Sequence, residues 1–192
     1  REIGKVELLN AEGERNLARI IEIVKHINDS KALLQLTNQN EDLINVLIIR
    51  NTLALIASSI KTINIIYKFL DPKNSNNTVT LSNYLNNQDI RSLLGGASKS
   101  DDYLFLINLI SDSLNVGHEE VHFLIAELSA TIDIIPKWIT TEILDEDPLL
   151  KNLSKYGPGK NQFGLHNDAD LEPLYNNHLE KILNQGQICE NY

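Results

Sequence analysis

The segment from Asn40 to Leu70, NEDLINVLIIRNTLALIASSIKTINIIYKFL, decides the fold. Its apolar side chains cover too wide an arc for a helix with one face in solvent, so it predicts a central helix that is mostly buried. The helix is expected to stop at Asp71-Pro72, because the residue before a proline avoids the helical conformation. A buried helix of this length favours a fold in which other helices surround it.

The flanking regions also show helical periodicity. Leu17, Ile20, Ile21, Val24 and Ile27 recur at helical spacing and predict an amphipathic helix of ordinary length. Downstream we expect short helices at 81–85 and 90–94, longer ones at 101–114 (capped by Ser100) and 118–135, a segment at 149–156, and a last helix at 171–183.

No alternating strand pattern and no repeat of fixed period is present, so the sequence predicts an all-α fold. The 192 residues fit a single-domain helical bundle. Its core is expected over about residues 41–183, with residues 1–40 as an N-terminal helical extension.

The composition limits the classes of function. With 17 basic and 26 acidic residues the net charge is −9, which argues against nonspecific coating of nucleic acid but allows a local basic pocket. The single cysteine, Cys189, cannot form an internal disulfide, which suits a reducing cytosol. No run of 18 apolar residues and no secretory pattern at the N-terminus is present, so we expect a soluble cytoplasmic protein with no membrane partner.

Chemistry is concentrated in the segment KNQFGLHND at 160–168, which follows Gly157-Pro158-Gly159. Lys160 and His166 provide a fixed cation and an imidazole, the smallest set of groups for cutting a phosphodiester. The imidazole moves a proton near neutral pH, and the cation neutralises charge that develops on the phosphoryl oxygens. The alternative is that both are solvated loop residues.

This segment resembles the signature of HEPN domains, an arginine followed after four to six residues by a histidine, with Lys160 in the place of the arginine. The stretch from Arg50 to Leu85, which includes YKFLDP at 67–72 and TLSNYL at 80–85, is similar to the abortive-infection branch of that family. The resemblance spans about residues 41–183.

The resemblance implies a metal-independent endoribonuclease of toxin or phage-defence type, without a cofactor. His166 would be the general acid/base, Lys160 would stabilise the phosphorane, and Asn161 would bind a phosphoryl oxygen or orient His166. Lys151 and Lys155, the basic series before the signature, would guide the substrate or else form a solvated face. The implied partners are RNA or a nucleotide, an antitoxin or defence-system protein, and a second copy in a homodimer.

Lysine in place of arginine favours a second hypothesis. A guanidinium grips two phosphate oxygens with a planar fork, whereas the Lys160 ammonium is a point charge on a flexible stem. Asp168 and Asp170 add negative charge close to His166, which would repel a phosphate. The alternative is therefore a non-catalytic HEPN-like module that dimerises and binds a nucleotide or a partner protein.

A competing motif is HEEVH at 118–122, which matches the His-Glu-x-x-His pattern of zinc proteases. His118 and His122 would share one helix face, Glu119 would be the base, and Glu142 would be a third ligand. The simpler interpretation is that Glu119 and Glu120 complement the dipole at a helix start. A zinc metalloprotease is thus a further alternative.

Overall fold

The computed structural model describes residues 11–37, 41–72, 79–95, 101–144, 146–158 and 166–190. Over these residues the chain is helical and contains no β-strand, which confirms the all-α prediction. The α-helices are α1 Ala11–Leu36, α2 Ile44–Ser58, α3 Ile60–Leu70, α4 Leu81–Asn86, α5 Gln88–Leu94, α6 Asp101–Leu114, α7 His118–Ile134 and α8 Asp168–Glu190. Three shorter elements lie between these helices: the 3-10 helices Glu41–Leu43 and Leu150–Tyr156 and the π-helical turn Ile139–Ile143.

The central segment forms two helices rather than one. α2 and α3 meet at Ser59 with a bend of 63°. Ser58 Oγ donates a hydrogen bond to the Leu55 carbonyl at 2.9 Å, and serines that bond back to the helix favour bends. The prediction of one continuous helix is therefore wrong. The sequence does not reveal the bend, because the apolar periodicity runs unbroken through Ser58 and Ser59. The predicted burial is confirmed, with Val46, Ile49 and Leu53 at 0% exposure.

α1 belongs to the core. It packs against α2, α7 and α8, and its side chains Ile23, Ile27 and Leu34 lie in the same buried cluster as α2. The predicted N-terminal extension thus contributes to the common core, and at 26 residues α1 is longer than expected.

The other boundaries follow the sequence closely, except at the end of the chain. α6 matches the predicted range, α7 ends one residue early, and α8 extends the predicted last helix in both directions. Thr80 caps α4 by accepting a hydrogen bond from the Asn83 amide at 3.2 Å. Within the described ranges, no single helix has the length and apolar character to cross a membrane, although α2 and α3 taken together as a bent pair do.

A side chain of α8 caps the start of α2. The Glu172 carboxylate accepts hydrogen bonds from the backbone amides of Asn45 at 3.1 Å and Val46 at 2.9 Å, and from the Asn45 side chain at 2.5 Å. Amides at a helix start have no partner within the helix, and a negative charge there complements the helix dipole. Glu172 therefore fixes the start of α2 against α8.

Candidate functional site

The segment from Gly157 to Asp168 connects the 3-10 helix Leu150–Tyr156 to α8. Of the predicted catalytic residues, Lys160 and Asn161 lie outside the described residues. His166 is described and exposed, two residues before α8 begins. The relation of Lys160 to His166 therefore stays a prediction.

A buried arginine on α2 contacts both ends of this segment. Arg50, only 1% exposed, donates from Nη1 to the carbonyls of Tyr156 at 3.1 Å and Gly157 at 3.4 Å. Its Nη2 pairs with Asp168 Oδ1 at 2.5 Å. We call Arg50 with these three partners the Arg50 clasp. It brings the residues before and after the signature together, because one planar guanidinium carries several donors in a fixed fork.

The sequence contains a signal for the clasp outside the signature segment. Arg50 is the only charged residue in α2, a helix whose other buried residues are uncharged. A charged group in such a helix needs a partner, since burial of an unpaired charge is very unfavourable. The sequence therefore indicates that some carboxylate must reach Arg50, although it does not identify Asp168.

Aromatic side chains pack beside the clasp. Tyr175 on α8 is fully buried and stacks on Trp138, with ring centroids 5.6 Å apart and planes at 13°. Burial raises the pKa of Tyr175, and the positive charge of Arg50 acts in the opposite direction. Trp138 is therefore a packing residue.

The clasp changes the electrostatics expected around His166. Asp168 was expected to repel a phosphate, but its carboxylate is held against the Arg50 guanidinium and is 21% exposed. It also lies in the first turn of α8, where a negative charge complements the helix dipole. The repulsion expected from Asp168 is thus largely compensated, whereas Asp170 is exposed.

The two predicted substrate-binding lysines lie on the 3-10 helix before the signature and are exposed. Lys155 Nζ is 3.5 Å from Glu146 Oε1 and 4.8 Å from the centroid of the Tyr156 ring. A hydrogen bond with the Tyr156 side chain raises the pKa of Lys155, and the charge of Glu146 adds to this effect. Lys151 is exposed to solvent.

The alternative metal site is not assembled. In the portion of the chain that the structure describes, no group of three or more histidine, cysteine, aspartate or glutamate side chains could hold a metal ion. His118, His122 and Glu142 all belong to that portion, so they do not form a three-ligand site. His122 Nδ1 instead shares a hydrogen bond with the Tyr103 hydroxyl at 3.1 Å. Glu119 and Glu120 lie in the first turn of α7, as the helix-dipole interpretation expects.

Comparison of the chain with protein-family models, curated proteins and solved structures gives no match. The likeness to HEPN domains therefore rests on the sequence pattern alone.

Proposed function

We propose that the protein is a metal-independent endoribonuclease whose reaction centre is the segment from Lys160 to His166. The observation that supports this proposal is the Arg50 clasp. It joins the residues that flank the segment and compensates the charge of Asp168 two residues from an exposed histidine. An imidazole in solvent contact beside a compensated carboxylate is suited to take a proton from a bound polyanion.

In this mechanism His166 accepts the proton of an RNA 2′-hydroxyl, and the 2′-oxygen attacks the adjacent phosphorus. The Lys160 ammonium stabilises the added negative charge on the phosphorane. The bond to the 5′-oxygen then breaks, and that oxygen takes up a proton. The products carry a 2′,3′-cyclic phosphate and a free 5′-hydroxyl.

The direct test is RNA cleavage by the purified full chain in the presence of a chelator. We expect cleavage to persist, to leave a cyclic phosphate, and to fall by about 100- to 10,000-fold in His166→Ala, the range for losing a general acid/base. Lys160→Arg should match or exceed the parent, because guanidinium holds two phosphate oxygens at once. His118→Ala is the matched control, an exposed histidine at the start of α7.

A second candidate is the non-catalytic module that binds a nucleotide or a partner protein, and the lysine at position 160 favours it. This candidate predicts that the parent and the Lys160→Arg variant both fold and that neither cleaves RNA. Binding of a labelled oligoribonucleotide that weakens in Lys160→Ala, without any product, would leave the module as the better proposal.

The resemblance also implies a homodimer that places two sites near a two-fold axis. Large apolar side chains on α6 and α7, namely Leu104, Phe105 and Phe123, are exposed and offer area for such a contact. We expect light scattering to give twice the chain mass over a concentration series. A monomer mass at high concentration would count against both the dimer and the paired-site ribonuclease.

A further inference from the structure

A cavity of about 250 Å³ opens between α1, α5, α6 and α7, away from the signature segment. Its polar lining consists of Arg19, Glu22, Tyr103, His122 and Ser129, and Ile125 contributes to its apolar wall. Sites for drug-sized ligands measure about 300–1,000 Å³, so this cavity suits a molecule with one ring. It is too small for an RNA strand.

Within the ion pairs at Asp133, beside the cavity, positive charge exceeds negative charge. Asp133 pairs through Oδ2 with Arg19, at 2.8 Å from both Nε and Nη2, and through Oδ1 with Arg91. Two guanidinium groups thus share one carboxylate, and all three side chains are 15–24% exposed. The group, which we call the Arg19 cluster, carries one net positive charge at a partly desolvated position, where a further anion is attracted more strongly than in water.

Arg19 has donor capacity left for a ligand. Among the residues that the structure describes, its guanidinium bonds beyond Asp133 to two backbone carbonyls, those of Arg91 and Ser129, both at 3.4 Å, which is long for a hydrogen bond. The absence of a side chain at Gly95 makes room for Nη1, since a Cβ there would lie 2.6 Å from it. An incoming oxyanion can replace these weak bonds with charge-assisted ones.

A negatively charged side chain, Glu22, lies one helical turn after Arg19 on α1. Glu22 lines the cavity together with Tyr103 and His122, which share a hydrogen bond. Burial raises the pKa of Tyr103, and the negative charge of Glu22 raises it further. A carboxylate on this side disfavours ligands with charge along their whole length. The cavity therefore favours a ligand with a single anionic group, and the apolar wall at Ile125 favours an apolar body.

We propose that this cavity is a binding site for a small organic anion, with its carboxylate or phosphate ester on Arg19 and its apolar ring against Ile125. The site is separate from the proposed ribonuclease segment and does not depend on it. Carboxylates and phosphate esters share the recognition chemistry, and the experiment distinguishes them.

The test is calorimetric or amide-shift titration of the full chain with benzoate and with phenyl phosphate. Benzyl alcohol and benzylamine serve as the uncharged and cationic counterparts. We expect saturable binding of at least one anion, with affinity about tenfold or more above both counterparts, as loss of a charge-assisted hydrogen bond requires. The preferred anion identifies the ligand class as carboxylate or phosphate ester.

Two variants address the site independently. Arg19→Gln removes the positive charge, and Ala126→Leu fills the cavity from an exposed lining position of α7 without altering the ion pairs. Each should weaken anion binding about tenfold or more. Ser113→Leu, an exposed position of α6 outside the lining, is the matched control and should bind as the parent does.

The proposal is overturned if neither anion binds saturably to the folded parent, if benzylamine binds more tightly than both anions, or if Ala126→Leu binds as well as Ser113→Leu. Circular dichroism of each variant establishes that it is folded. Should Arg19→Gln fail to fold, the comparison of Ala126→Leu with Ser113→Leu still decides the matter.

Discussion

The Arg50 clasp and the Arg19 cluster both pair arginine with aspartate, but in different surroundings. Arg50 is 1% exposed and donates to one carboxylate and two backbone carbonyls, whereas Arg19 and Arg91 share the Asp133 carboxylate near the surface. In the clasp every strong contact goes to the protein itself, so the arginine organises backbone. In the Arg19 cluster one charge remains uncompensated, so the arginine can serve a ligand. The two roles differ because of the burial of the arginine and the number of guanidinium groups per carboxylate, not because of the residue type.

The largest expected effect tests the structural role of the clasp. Arg50→Met should lower the free energy of unfolding by about 3–5 kcal/mol, because Asp168 and the Tyr156 carbonyl lose a buried charged partner. Urea unfolding followed by circular dichroism measures it. Lys61→Met, an exposed lysine on α3, is the control and should change stability little. A loss for Arg50→Met no larger than for this control would mean that the clasp does not organise the chain.

An intermediate effect tests the charge imbalance of the Arg19 cluster. Asp133→Asn should cost about 1–3 kcal/mol, since it leaves two guanidinium groups side by side without a counter-charge. Arg91→Gln should cost only about 0–1 kcal/mol, because it leaves a balanced pair at the surface. Urea midpoints of the two variants measured at low and at moderate salt give the comparison. The reverse order of the two losses would remove the basis for an uncompensated charge.

The smallest effect concerns His178, which connects the two regions along α8. Its Nε2 lies 3.1 Å from the Ile134 carbonyl, beside Asp133, and burial lowers the pKa of His178 below its usual 6.5. The folded state therefore keeps this ring neutral at pH values where the unfolded chain protonates it. The contribution of His178 to the free energy of unfolding is fully present above about pH 6.5 and is lost as the pH falls towards the pKa of the folded state.

We expect His178→Gln to flatten this part of the pH dependence, with stability falling less between about pH 7 and pH 5 than in the parent. The measurement is a series of urea midpoints across that range. His118→Gln, at an exposed position, should follow the parent curve. Parent and His178→Gln curves that stay parallel would show that His178 does not titrate with folding.

The sequence predicted the helical fold because apolar periodicity and capping are local signals. The range of α6 and the start of α4 at Leu81 are examples. The bend at Ser59 escaped prediction because both sides of it are equally apolar, so that no periodicity marks the break. The full length of α8 was also missed, since its first turn contains Asp168 and Asp170 and its end is polar.

The candidate site was less predictable than the fold. His166 and the lysines could be named as a motif, but the pairing of Asp168 with Arg50 joins residues 118 positions apart. Sequence spacing contains no information about such a contact. The His118–His122 motif shows the opposite failure, because a matching pattern does not bring a third ligand into reach.

The Glu172 cap implies an order of events during synthesis. The first amides of α2 depend on a carboxylate that emerges from the ribosome about 127 residues after them. Until α8 emerges, the start of α2 has no acidic cap and the faces of α1 and α2 that α8 covers are exposed. The bundle therefore closes late, and a nascent chain that stalls before Glu172 presents apolar helices that chaperones recognise.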